Sequence, residues 1–171
     1  MANLRGKVEA EVELKSPADK FFKIWRSETH KLPTVSSKNV QGLKVHEGDW
    51  DQHGAIKIWN YTVDGKSEVF KEKVEFDDDN MSFTLHGTEG HVFDAWKVFK
   101  PACKLVPKEQ GSVAKLSIEY EKYKASDPNP DKYMAFFIDM TKDIDAHILS
   151  ARRKKDRGMD VIICEVVLYY A

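Results

Sequence analysis

The chain has 171 residues, which suits a single domain, and its 27 Lys and Arg residues nearly balance its 28 Asp and Glu residues, for a formal charge of −1. This balance argues against nucleic-acid binding, which requires a strongly basic domain or stripe. The two cysteines, Cys103 and Cys164, provide neither a disulfide framework nor a metal-ligand spacing, so we predict no metal site.

Two further features concern the cellular location. The N-terminal segment alternates charged and apolar residues and has no apolar stretch of the kind found in secretion signals. The sequence contains no run of about 20 apolar residues, so we expect no stable membrane insertion. Because the low cysteine content fits a reducing compartment, we expect a cytoplasmic protein.

The first predicted strand covers residues 6–14, where apolar residues alternate with charged ones. This period of two is typical of a half-buried antiparallel strand. A helix is expected to follow, because Ser16 is a favoured capping residue and Pro17 suits the first helical position. The helix is expected to be short, because the segment His30-Lys31-Leu32-Pro33 interrupts it, and a second short helix is predicted around residues 34–40.

From residue 40 onward the pattern predicts strands separated by turn signals. The Asp64-Gly65 pair between two β-rich runs is a strong hairpin signal. The six predicted strands cover residues 40–46, 54–63, 66–76, 81–89, 93–106 and 113–123. Together with the first strand they predict a seven-stranded antiparallel meander in a protein of the α+β class.

A long amphipathic helix is predicted over about residues 130–151. Apolar residues recur there at spacings of three and four, which indicates one helix face. These residues are Tyr133, Phe137, Met140, Ile144 and Ile148. A curved sheet with a long helix lying across it leaves a space that side chains do not fill completely. We therefore expect a hydrophobic cavity that serves as a ligand site.

The final segment, residues 152–171, lies outside the predicted cavity domain of residues 1–151. It is first basic and then, from residue 160, rich in β-branched and aromatic residues. One interpretation is a loosely packed additional strand. A second is a strand that pairs with a sheet edge in the same chain or in a second copy, which gives a homodimer. A third is reversible contact with a membrane surface.

Several motifs in a fixed order resemble the major latex proteins, which are plant members of the birch-pollen-allergen superfamily. The motifs are Val45-His46-Glu47-Gly48-Asp49-Trp50, His53-Gly54-Ala55-Ile56-Lys57, Trp59-Asn60-Tyr61 and Asp64-Gly65-Lys66. The resemblance covers residues 1 to about 151. It implies the helix-grip fold, in which a seven-stranded curved sheet, two short helices and a long C-terminal helix enclose a hydrophobic cavity.

The same resemblance has implications for function. It implies binding of apolar small molecules, and it is strongest to the opium-poppy latex members, which belong to latex-bearing cells. One of those is an isomerase that moves a carbon–carbon double bond in a morphinan ketone. The resemblance therefore implies a cofactor-independent isomerase of a small hydrophobic alkaloid. The alternative is a non-catalytic carrier or store for such a ligand.

An isomerase of this kind needs a base, a hydrogen-bond donor for the dienolate oxygen and an apolar slot for the ligand. Glu89, His91 and Asp94 are three titratable groups near one strand junction and are candidate catalytic residues. If Glu89 points inward, it shares that face of its strand with Phe83 and Leu85. The alternative for this cluster is an exposed, solvated loop.

A fourth catalytic candidate is Lys57, which shares one strand face with Trp59 and Tyr61. If this face points into the cavity, the ammonium group can polarise a ketone oxygen; the alternative is a surface lysine. The predicted ligand contacts are Trp59, Tyr61, Phe83, Leu85 and Phe137.

The dimer interpretation of residues 152–171 can be tested directly in solution. It predicts a dimer mass for the full chain and a monomer mass for a chain that ends at residue 151, because the pairing strand is then missing. Light scattering measures both masses. A monomer mass for both chains would contradict the interpretation.

Overall fold

The computed structural model describes residues 3–170, and the side chains of residues 3–152. Seven strands form one antiparallel sheet: β1 (Arg5–Leu14), β2 (Val40–Glu47), β3 (Ile56–Val63), β4 (Lys66–Asp77), β5 (Ser82–Gly90), β6 (Trp96–Pro107) and β7 (Ser112–Lys122). Their order in space is β1-β7-β6-β5-β4-β3-β2. Strands β2 to β7 are therefore a meander, and β1 joins it beside β7. This arrangement confirms the predicted seven-stranded α+β fold.

Within residues 3–170, three α-helices accompany the sheet: α1 (Ala18–Ser27), α2 (Leu32–Val35) and α3 (Asp131–Tyr170). Short 3₁₀ turns cover Thr29–Lys31 and His91–Asp94. The predicted short first helix and second short helix are confirmed, but α2 begins at Leu32 rather than near residue 34, and Pro33 lies in its first turn. Proline is tolerated in a first turn, since its missing N–H group has no intrahelical partner there.

Ser16 has a different role from the predicted helix cap. The residue at the cap position of α1 is Pro17, and no side chain caps the helix. Instead, the Ser16 hydroxyl donates to Asp145 Oδ1 at 2.6 Å, and the Ser16 backbone N–H donates to the same oxygen at 2.9 Å. Asp145 belongs to α3, so these bonds attach the long helix to the segment that joins β1 to α1.

The hairpin predicted at Asp64-Gly65 is confirmed. Val63 pairs with Lys66, so the turn has two central residues. Their φ angles are 51° for Asp64 and 75° for Gly65. Positive φ at both positions is the requirement of a type I′ turn, whose twist matches that of the two flanking strands.

Helix α3 is longer than predicted. It was expected to end near residue 151, whereas it continues to Tyr170. Both strand interpretations, the additional strand and the strand that pairs with a sheet edge, are therefore wrong as far as residue 170, and Ala171 lies outside the described residues. Each residue added to an existing helix gains a hydrogen bond, whereas a new strand needs a partner edge. Within the described part of the chain, no helix is long and apolar enough to cross a membrane.

The pairing of β4 with β5 contains a β-bulge that changes which side chains point inward. Lys71 pairs with Glu89, but the next residue, Glu72, pairs with Gly87. Thr88 is therefore the extra residue of β5, and the alternation of its side chains shifts by one at this point. Phe83 and Leu85, which precede the bulge, point inward, whereas Glu89, which follows it, points outward.

We expect the substitution Gly87→Ala to lower the free energy of unfolding by about 1–3 kcal/mol. An added Cβ would lie 2.6 Å from the backbone oxygen of Phe99 and 2.7 Å from the Phe70 ring. Gly42→Ala is the matched control, since the nearest atom to its added Cβ is 3.5 Å away, and we expect a change within about 0.5 kcal/mol. Urea denaturation measures both, and equal effects would contradict the prediction.

Candidate functional site

An apolar cavity of about 60 Å³ lies between the inner face of the sheet and α3. Its lining residues are Trp25, Trp59, Tyr61, Phe70, Leu85, Phe99, Pro101, Ile118, Tyr133, Phe136, Phe137 and Met140. None of these side chains carries a formal charge at neutral pH. Pockets for drug-sized ligands usually measure about 300–1,000 Å³, so a polycyclic ligand requires side chains to move.

The indole ring of Trp25 lines the cavity and packs among other aromatic side chains. It stacks on Phe83 with a centroid distance of 4.2 Å, and it lies 5.9 Å from Trp59 and 6.2 Å from Phe137. Trp25 belongs to the apolar face of α1 and is buried. Aromatic side chains from four different elements therefore fill much of the expected hollow.

Four of the five predicted ligand contacts line this cavity. Trp59, Tyr61, Leu85 and Phe137 are lining residues, while Phe83 lies behind Trp25 and stacks on it. The alternation of β3 and β5 and the periodicity of α3 placed these side chains on the inward faces. A role of any of them in binding a ligand stays a prediction.

Lys57 points inward and is 2% exposed, so it is not a surface lysine. Its Nζ donates to the Thr29 hydroxyl and to the Trp50 backbone oxygen, each at 3.1 Å. Burial lowers the pKa of this ammonium group, although the nearby carboxyl of Glu72 opposes the shift. Lys57 does not line the cavity; it links β3 to the turn after α1 and to the β2–β3 loop.

Glu72, which the sequence patterns did not single out, is fully buried on the inner face of β4. It is the cross-strand partner of Lys57, and its Oε1 accepts a hydrogen bond from Trp59 Nε1 at 3.2 Å. Its Oε2 has no hydrogen-bond partner among the described residues, and the same is true of Trp25 Nε1. Burial raises the pKa of Glu72 to about 7, which suits a base at neutral pH.

A second buried carboxylate, Glu68, lies four residues earlier on the same face of β4. Its Oε1 accepts hydrogen bonds from the hydroxyls of Tyr61, at 2.9 Å, and Tyr133, at 2.7 Å. Burial and the nearby carboxylate raise the pKa values of both tyrosines, so both hydroxyls keep their protons and act as donors. Both tyrosines also line the cavity.

Every second residue of β4 is buried, and Glu68 and Glu72 share this face with Phe70 and Val74. This period of two was a sequence signal for the inward face of β4. Because acidic side chains are rarely fully buried, this alternation alone does not indicate that the glutamates point inward.

The remaining catalytic candidates lie elsewhere. Glu89, His91 and Asp94 are brought together, but in a surface depression that also includes Lys71, and none of them lines the cavity. Of the two alternatives for Glu89, the exposed one holds, because the bulge at Thr88 turns its side chain outward; this side chain is 72% exposed and pairs with Lys71 at 3.6 Å. Within the described residues, no group of His, Cys, Asp and Glu side chains could hold a metal ion.

A curved antiparallel sheet that encloses an apolar cavity together with a long helix defines a helix-grip protein. Residues 3–151 match the family model of the pathogenesis-related protein Bet v 1 family. Among curated proteins, MLP-like protein 328 of Arabidopsis thaliana is 44% identical over 147 residues, which cover 85% of this chain and 97% of that protein. MLP-like protein 329 of the same plant is 45% identical over the same shares. The chain belongs to the Bet v 1 family, and its relatives are major latex-like proteins.

Solved structures agree with this assignment. The crystal structure of major latex-like protein 151 from Panax ginseng has a TM-score of 0.82 and 32% identity, covering 85% of this chain and 98% of that chain. Norcoclaurine synthase from Thalictrum flavum, in complex with dopamine and hydroxybenzaldehyde, has a TM-score of 0.67 over 85% of this chain and 87% of that chain. At 19% identity, that likeness shows a shared fold alone.

The pH dependence of stability tests the buried state of Glu72. Because its folded pKa of about 7 exceeds its usual value of 4.5, folding retains a proton that the unfolded chain releases between these pH values. The free energy of unfolding therefore falls as pH rises from 5 to 8. Glu72→Gln removes this titration, so we expect the variant to gain about 1–3 kcal/mol over the wild type across that range.

Urea denaturation at a series of pH values measures this difference. Glu89→Gln is the matched control, because it removes an exposed carboxylate, and its pH dependence should equal that of the wild type. The same pH slope for Glu72→Gln and the wild type would contradict the predicted burial.

Proposed function

We propose that the protein binds a small hydrophobic polycyclic ketone in its cavity and moves a carbon–carbon double bond of that ligand into conjugation. The proposed reaction is that of opium-poppy neopinone isomerase, which converts neopinone to codeinone and which the sequence resembles. The observation that carries the proposal is Glu72, a buried carboxyl group with an unpartnered oxygen beside the cavity-lining Trp59. Enzymes commonly use a carboxyl group of raised pKa for such proton transfers.

The reaction consists of two proton transfers. In the first, the Glu72 carboxylate takes the proton from the carbon between the carbonyl group and the double bond, which gives a dienolate and a protonated Glu72. In the second, Glu72 returns this proton to the γ carbon, and the product is the conjugated ketone. The proton gained in the first step is lost in the second, so the reaction needs no cofactor.

The dienolate oxygen requires a hydrogen-bond donor during the reaction. Trp25 is suited to this role, because its ring lines the cavity and its Nε1 has no partner among the described residues. Lys57 acts at a distance in this proposal. Lys57 is the cross-strand neighbour of Glu72, and its positive charge stabilises the carboxylate form of Glu72.

A carrier or store for hydrophobic alkaloids is the second candidate function. The uncharged lining of the cavity favours it, since such a surface binds apolar ligands without any chemistry. The two candidates differ in whether Glu72 reaches the ligand when the aromatic side chains move apart.

Turnover of neopinone separates the two functions. We expect the purified protein to accelerate codeinone formation over the spontaneous rate, and Glu72→Gln to lower kcat by about 10²–10⁴-fold because the base is lost. The wild-type kcat should rise with pH as Glu72 ionises, with its midpoint near the pKa of about 7.

Glu89→Gln serves as the control, and full activity is expected because its side chain lies on the outer face of the sheet. A wild-type rate equal to the spontaneous rate at micromolar protein would refute the enzyme hypothesis. A saturable change in tryptophan fluorescence with the alkaloid would then support the carrier. Loss of activity in Glu89→Gln but not in Glu72→Gln would indicate that the base is instead one of the surface residues Glu89, His91 and Asp94.

A further inference from the structure

The carboxylate of Glu68 has a position that the proton-transfer chemistry does not explain. It is 9% exposed, and both of its hydrogen bonds come from neutral tyrosine hydroxyls. Among the described residues, no lysine, arginine or histidine forms an ion pair with it. A carboxylate in such a setting has lost much of its hydration without gaining a positively charged partner.

The surroundings of Glu68 are those of a cation site. Tyr61 and Tyr133 both donate to Oε1, so the second oxygen, Oε2, receives no hydrogen bond from the described residues. Aromatic faces stand close by, with the Tyr61 and Phe136 rings 5.4 Å apart and the Phe99 and Tyr133 rings 5.3 Å apart. Aromatic rings attract organic cations through their negative faces, and a carboxylate adds a full charge to this attraction.

From this arrangement we infer that Glu68, with Tyr61 and Tyr133, forms the subsite that binds a protonated tertiary amine of the ligand. The ammonium group donates a hydrogen bond to the free Glu68 oxygen, and its alkyl groups contact the aromatic rings. The ligand class is therefore a hydrophobic polycycle with a basic nitrogen, rather than a neutral polycycle such as a sterol.

The spacing along β4 adds a geometric condition, which rests on the proposed function. Glu68 and Glu72 share one face of the strand and stand four residues apart, so their Cα atoms are separated by roughly 13 Å. Phe70, between them, lines the cavity. A ligand that contacts both carboxyl groups must therefore lie across Phe70 and reach the two side chains from the cavity.

A matched pair of ligands tests the amine subsite. The first is codeinone, with its tertiary amine, and the second is its N-formyl nor analogue, in which a neutral amide replaces the amine. Tryptophan fluorescence or calorimetry gives the dissociation constant of each at pH 7. We expect the wild type to bind the amine about tenfold more tightly, as a charge-assisted hydrogen bond predicts.

Glu68→Gln should reduce this preference to within about twofold, because the amide still accepts the tyrosine hydrogen bonds but carries no charge. Glu75→Gln is the control: it lies on the outer face of the same strand, where it contacts His86, and should keep the wild-type preference. The preference is the ratio of two dissociation constants that are measured on the same variant. A modest loss of folding stability affects both constants equally and leaves their ratio unchanged.

Each outcome decides the matter. A tenfold preference that disappears in Glu68→Gln supports the subsite, even if the protein does not isomerise neopinone. Equal affinity of the wild type for both ligands, or a preference that persists in Glu68→Gln, overturns the subsite and leaves the proposed ketone isomerisation standing. A wild type that binds neither ligand overturns both.

Discussion

The burial of two carboxyl groups on the inner face of β4 is the constraint on which the rest of the site depends. An ionised carboxylate loses several kcal/mol of hydration when it is buried, and only nearby donors or positive charge offset this cost. At Glu72 these are the Trp59 indole and the neighbouring charge of Lys57; at Glu68 they are two tyrosine hydroxyls. One of those tyrosines belongs to α3, so the same carboxylate also fixes the long helix against the sheet.

Much of the fold could be predicted from the sequence because alternation and helical periodicity are local signals. Residues 6–14, the Asp64-Gly65 turn and the apolar face of α3 all have the predicted form. The direction of Glu89 could not be predicted, because one extra residue at Thr88 reverses all later side chains of the strand. A bulge depends on the pairing of two strands, and neither strand shows it alone.

The buried acids were missed for a different physical reason. Charged side chains are usually solvated, so an acidic residue in a strand is taken to mark the outer face. In β4 this assumption fails, and the face is revealed instead by Phe70 and Val74. Local conflict with an otherwise consistent pattern is expected at functional sites, where a protein accepts a cost in stability for chemistry. The burial of an acidic side chain at Glu72 therefore indicates a functional site more strongly than the residues that follow the usual pattern.

The small cavity and the buried acids together constrain how any ligand is accommodated. A volume of about 60 Å³ holds no polycycle, and Trp25, one of the two tryptophans that line the cavity, stacks on Phe83. Movement of Trp25 would exchange aromatic contacts for equivalent contacts with an aromatic or polycyclic ligand, so little apolar burial is lost. The same movement would bring its unpartnered Nε1 and the Glu72 carboxyl group toward the ligand. Ligand entry and assembly of the proposed catalytic groups would then be one event, which a purely apolar store does not need.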